Sequence, residues 1–103
     1  MMVVSLTAFA IPPSAQIKVV DELGNLVEGA TVTFYSTQED YRAETNPVAT
    51  GLTDKKGKAT FKKLEAKSYF LHVHKDDKNN NWAGVQTDTL QAGKVNKLII
   101  VIE

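Results

Sequence analysis

A chain of 103 residues, 43% apolar and 23% charged, has room for one globular domain with a modest core, and its composition is not that of a disordered segment. Twelve basic residues balance twelve acidic ones. The basic surplus with which nucleic-acid binders displace condensed counterions is therefore missing, and nucleic acid is not the expected partner. The absence of cysteine excludes a disulfide framework, thiolate metal sites and a cysteine nucleophile.

Met2 to Ile11 carries no charge. The run is too short to cross a bilayer and has the size of a signal-peptide core, followed by the small-x-small triplet Ala8-Phe9-Ala10. Residues 1–15 are read as a signal segment and 16–103 as the domain, which predicts export to the periplasm or the medium and a mature chain starting between Ile11 and Ile17; no Lys or Arg precedes the run, and the alternative is an apolar first strand packed on the domain. Pro12-Pro13 separates the two, since proline cannot donate to a sheet.

From there short β-branched runs alternate with turn residues at spacings of roughly 8–12 residues, the pattern of an all-β sandwich. Ile17–Asp21 is the first predicted strand. In Ala30–Tyr35 the period of two places Ala30, Val32 and Phe34 on one side. The polar stretch Ser36–Asn46 is predicted to hold a helical turn around Glu39–Ala43, and Pro47–Leu52 a short edge strand. Asp54-Lys55-Lys56-Gly57 reads as a tight hairpin turn, with Asp54 capping it and Gly57 supplying a positive φ. Lys58–Lys62 points Ala59 and Phe61 inward, and Tyr69–His74 does the same with Tyr69, Leu71 and Val73. A sixth strand is expected within Trp82–Leu90. Lys97–Ile102 closes the domain with five consecutive apolar residues, Leu98–Ile102. A strand apolar on both sides implies either a segment of the chain folded over its outer face or a homodimer or partner docked there.

Three blocks in order, Val19-x-Asp21-x-x-Gly24-Asn25-x-Val27-x-Gly29-Ala30-x-Val32, Thr53-Asp54-x-x-Gly57-x-Ala59-x-Phe61-x-x-Leu64 and Tyr69-x-Leu71-x-Val73, resemble the carboxypeptidase regulatory-like domain, a transthyretin-like sandwich. The resemblance covers about residues 15–103. It implies a seven-stranded antiparallel Greek-key β-sandwich of the immunoglobulin-like, transthyretin-like kind, used in secreted and cell-envelope proteins as an accessory or binding module. Fold alone does not carry activity. Two chemically active relatives of the fold leave no trace in these residues. The C-terminal Tyr-Arg-Gly-Ser of hydroxyisourate hydrolases is not present, the Tyr-Arg pair being Tyr41-Arg42. The isopeptide of collagen-adhesin B-type pilin domains needs a first-strand lysine, for which Lys18 is available, and an asparagine on the closing strand, which Lys97–Ile102 does not contain.

Two local features are candidate sites. His72-x-His74 puts two imidazoles on one face of a strand about 6.5–7 Å apart, a spacing at which both can ligate one metal ion, with Asp76 as a further oxygen donor. The loop Asp76-Asp77-Lys78-Asn79-Asn80-Asn81-Trp82 is rich in side-chain oxygens and ends in an aromatic. Trp82 would stack on a sugar while Asp77, Asn80 and Asn81 bond its hydroxyls; the same oxygens would suit calcium, although an EF-hand's glycine and closing glutamate are missing. No nucleophile elbow and no glycine-rich phosphate loop occurs. The expectation is a non-enzymatic module with no cofactor, no catalytic residue and no membrane span, binding a protein or a glycan. The alternatives are a small metal-binding protein built on His72 and His74, or a hydrolase whose site leaves no recognisable motif.

Overall fold

A computed structural model describes residues 11–81 and 84–103. The apolar run through Ala8-Phe9-Ala10 and the stacking residue Trp82 lie outside the described residues. The chain folds as two packed β-sheets with one short helix: β1 (Ser14–Asp21), β2 (Thr31–Tyr35), α1 (Gln38–Ala43), β3 (Ala49–Leu52), β4 (Lys58–Phe61), β5 (Phe70–Lys75), β6 (Lys78–Asn79) and β7 (Val95–Ile102). One sheet has the order β4-β1-β7 and the other β3-β2-β5-β6.

The period of two decides what enters the core. Along β1, Ala15, Ile17 and Val19 are buried while Gln16, Lys18 and Val20 face out. Val32 and Phe34 of β2, Ala59 and Phe61 of β4, and Leu71 and Val73 of β5 meet them, with Tyr69, Leu90 and Ile102 completing one cluster. Phe34 organises its centre, with Phe61 at 4.8 Å and Tyr69 edge-on at 5.5 Å between ring centroids. Each buried Val, Leu, Ile or Phe side chain among them contributes roughly 1.5–3 kcal/mol through burial. β3 lies at a sheet edge, as Pro47 predicts.

The structure corrects five expectations. The strands are not all antiparallel, because β1 and β7 run parallel in register from Ser14↔Val95 to Asp21↔Ile102. Parallel neighbours need a long crossover, and the whole of the second sheet lies between these two strands in sequence. The first strand starts at Ser14, so Ala15 sits fully buried between Phe61 and Asn96. The turn at Asp54–Gly57 forms as predicted, with Asp54 Oδ1 accepting from the amides of Lys56 and Lys58 and Gly57 at φ +73, but it joins strands of different sheets instead of a paired hairpin. Thr53 redirects the chain here. Its hydroxyl donates to the Val27 carbonyl at 2.6 Å and accepts from the Ala30 amide at 2.9 Å, which holds the end of β3 against the entry to β2.

The fourth correction concerns Trp82–Leu90, where no strand is found among the described residues. β5 instead pairs with the two residues of β6 and with a single bridge at Gln86. Asn80 is the cause. Its backbone amide donates to the Val73 carbonyl, its Oδ1 accepts from the Val73 amide, and its Nδ2 donates to the Leu71 carbonyl, the two side-chain bonds at 3.0 Å. A side-chain amide thus occupies the edge of β5 where a continuing strand would pair. The fifth is that the closing strand starts at Val95 and so contains an asparagine, Asn96. That amide is engaged with the Ser14 carbonyl and with the Gln91 backbone, while Lys18 faces out of the opposite side of the sheet, so the lysine and the asparagine do not meet.

Candidate functional site

The outer face of the four-stranded sheet carries the chemistry. Antiparallel register sets Thr33 beside His72 and Thr31 beside His74, with Tyr35 beside Phe70. All of these point away from the core, since Val32, Phe34, Leu71 and Val73 point into it. The two imidazoles stack with centroids 5.0 Å apart and planes inclined by 27°. Among the described residues His74 Nδ1 is buried without a hydrogen-bond partner.

Helix α1 crosses this face. Thr37 caps it by accepting from the Asp40 amide at 3.1 Å, and Glu44 ends it in the left-handed region at φ +54. At six residues it is too short to be stable alone, and it docks through Tyr41. That ring lies edge-on to Tyr35 and to His72, with centroids 6.0 and 6.2 Å away, and near Phe70. Its hydroxyl donates to Asn81 Oδ1 at 3.0 Å.

Tyr41, Arg42, Glu44, His72 and Asn81 enclose a pocket of about 210 Å³. Burial and the neighbouring His74 hold the His72 pKa below the ordinary 6.5, against the pull of Glu44. Burial, then Glu44 and Tyr35, raise that of Tyr41. At neutral pH the pocket therefore offers a neutral imidazole, a phenol, an amide and one charge of each sign. These groups can donate hydrogen bonds to, and accept them from, the hydroxyls and amides of a ligand.

The sequence-predicted residues divide. His72 and His74 sit together on the outer face as expected, and Asn81 lines the same pocket. Asn80 is fully buried with its amide committed to β5. Asp76 and Asp77 occupy the β5–β6 turn and line a different hollow of about 300 Å³ with Asp21, Lys75, Lys78 and Ile102. Among the described residues no three His, Asp, Glu or Cys side chains converge on one point, so the histidine pair has no third ligand there. Tyr41, Arg42 and Glu44 were not foreseen as site residues, although the helical turn that positions them was legible.

No protein-family model and no curated protein matches the chain. Among solved structures, it resembles part of the Bacillus anthracis TIE protein at 20% identity and a TM-score of 0.66, covering 90% of this chain and 16% of that one. It also resembles part of BcpA, the major pilin subunit of Bacillus cereus, at 14% identity and a TM-score of 0.60, covering 90% of this chain and 30% of that one. The chain thus spans less than a third of either protein. At these identities the likeness establishes a fold, a small and mostly β domain of two packed sheets. No helix among the described residues is long and apolar enough to cross a membrane.

Proposed function

We propose that the protein is a non-enzymatic interaction or structural module of exported proteins, a Greek-key sandwich of the transthyretin-like, carboxypeptidase regulatory-like kind. It would contact a protein or a glycan through the face carrying α1 and β5. The observation that carries this reading is the pocket of Tyr41, His72 and Asn81, which gathers an aromatic edge, a neutral imidazole and an amide in about 210 Å³. Such a mixture suits polar recognition with few precisely placed groups. The pilin and TIE-protein likeness supports a surface-associated role by analogy of fold alone. Export is supported by the uncharged run Met2–Ile11. A cut after Ala10 leaves β1 whole, whereas one after Ala15 would remove a buried residue from it. The other occupant open to the face carrying Ile99 is a second copy of the chain docked on Leu98–Ile102, which a size measurement at two concentrations would reveal.

The test of the binding reading is a titration with a panel of neutral oligosaccharides and extended peptides, read through the ring resonances of His72 and Tyr41. Saturable shifts of the His72 ring that are lost in Tyr41→Ala support it. Unmoved resonances across the panel exclude this face.

The stacked imidazoles and the unpartnered His74 Nδ1 favour a second reading, a two-histidine site for zinc or copper completed by solvent or by a partner. A titration in which either metal binds no tighter than about millimolar, or equally well to His72→Ala, removes it.

A further inference from the structure

The outer face of the other sheet, β4-β1-β7, lies on the opposite side of the sandwich and carries a separate signal. Its outward positions are Lys58 and Thr60 on β4, Gln16, Lys18 and Val20 on β1, and Lys97, Ile99 and Val101 on β7. None is acidic. Lys18 and Lys58 stand directly opposite each other in the antiparallel register, an arrangement that destabilises a sheet. Lys97 pairs with Gln16, one pleat along. The three lysines thus lie on adjacent strands, two directly across from each other and the third one pleat along, with about 4.8 Å between strands and about 6.6 Å between same-face residues. Among the described residues the ion pair is Lys78–Glu22, and none of these three lysines has an acidic partner. The chain as a whole is neutral, so this cation stripe is a segregation of charge and not a by-product of a basic protein.

We propose that this face binds a linear acidic polysaccharide, a polyuronate chain lying across the three strands. Charge complementarity selects a polyanion, and the spacing of the lysines is of the same order as one charge per sugar. The open sheet face, with Ile99 at 67% exposure and Val101 on the same side of β7, suits an extended chain whose C–H faces rest on aliphatic groups. Among the described residues the outward strand positions of this face carry no aromatic side chain on which a nucleic-acid base would stack. Lysines supply hydrated point charges, which grip a repeating anion without demanding a fixed geometry. This inference is independent of the pocket on the α1 face.

The test uses the full chain with polygalacturonate at low and rising salt, beside a neutral glucan, phosphatidylglycerol vesicles and a size measurement. Wild-type protein is expected to bind polygalacturonate and not the glucan. Lys18→Gln with Lys58→Gln should weaken binding about tenfold or more and lower the slope of log K against log salt by roughly one per lysine removed. Lys63→Gln with Lys94→Gln removes the same charge from connecting segments and should change affinity less than about threefold. Lys58→Glu separates binding from folding. It replaces the repulsive pair with an attractive one, so its urea midpoint should hold or rise while polygalacturonate binding is lost. The proposal is overturned by absent binding at low salt, by equal losses in both double variants, by a preference for vesicles, or by self-association through this face in place of polymer binding.

Discussion

Replacing Asn80 with alanine removes the two bonds by which its amide completes the edge of β5, to the Val73 amide and to the Leu71 carbonyl at 3.0 Å each. Both backbone groups belong to residues that are almost wholly buried, and a buried polar group left unpaired costs about 1–3 kcal/mol. Two such groups give an expected loss of about 2–5 kcal/mol once partial relaxation is allowed, a large part of the roughly 5–15 kcal/mol that stabilises a domain of this size. In urea, with a slope of about 1–3 kcal/mol per molar, the midpoint should fall by at least about 0.7 M. Hydrogen exchange should show the Val73 amide losing protection before its β2-facing neighbours do. Asn80→Asp keeps the shape and the acceptor but loses the donor and buries a carboxylate, whose folded pKa is raised. Its deficit therefore grows as pH rises from about 4 through that raised value. A midpoint within about 0.3 M of wild type, with Val73 still protected, refutes the assignment of Asn80 as a substitute strand.

His72 has its pKa lowered by burial and by His74, so its contribution to stability is complete above the ordinary histidine range and is lost as pH falls through the lowered value; thermal unfolding across pH 4–8 should show this decline, and His72→Asn should flatten it. Gly57→Ala meets both a positive φ of +73 and the Val19 carbonyl at 2.8 Å from the added carbon, whereas Gly24→Ala, at φ +86, meets open space. Chemical denaturation should give about 1–2 kcal/mol for Gly24→Ala, from strain alone, and clearly more for Gly57→Ala. Thr53→Val strands the Ala30 amide and the Val27 carbonyl beneath the β3–β4 crossing and should cost about 1–3 kcal/mol by the same assay, with Thr53→Ser recovering most of it.

What the sequence revealed followed the period of two. Val32 with Phe34, Ala59 with Phe61, and Leu71 with Val73 announce their inward faces because each strand is buried on one side only. The same logic accounts for half of the apolar run at the C-terminus: Leu98, Ile100 and Ile102 face inward, while Ile99 faces out. Alternation carries no sign for strand direction, so the parallel pairing of β1 with β7 was not legible. Nor does it register a pairing made by a side chain, which is why Asn80 looked like a ligand in a polar loop and the segment after it looked like a strand. The histidine pair was found because i and i+2 share a face on any strand. Its neighbours Tyr41, Arg42 and Glu44 were hidden because a six-residue helix reaches that face only through the tertiary fold.

The two outer faces can be altered without altering the interior, and this follows from the strands themselves. On β1 and β5 the residues that pack the core and the residues that face solvent alternate, so His72 and Lys18 each sit between two buried neighbours without joining them. A substitution at Lys18 or Lys58 acts on the field over one sheet, and one at Tyr41 or His72 acts on the cover of the other, with the core layer between. Variants from the two faces should therefore combine additively in stability, within about 0.5 kcal/mol, because they share no partner. A Lys58→Glu, Tyr41→Ala double variant tests this directly. A coupling larger than that bound would mean that α1 and the lysine-bearing sheet communicate through Phe34 and Phe61, the pair whose rings meet at 4.8 Å between the two sheets.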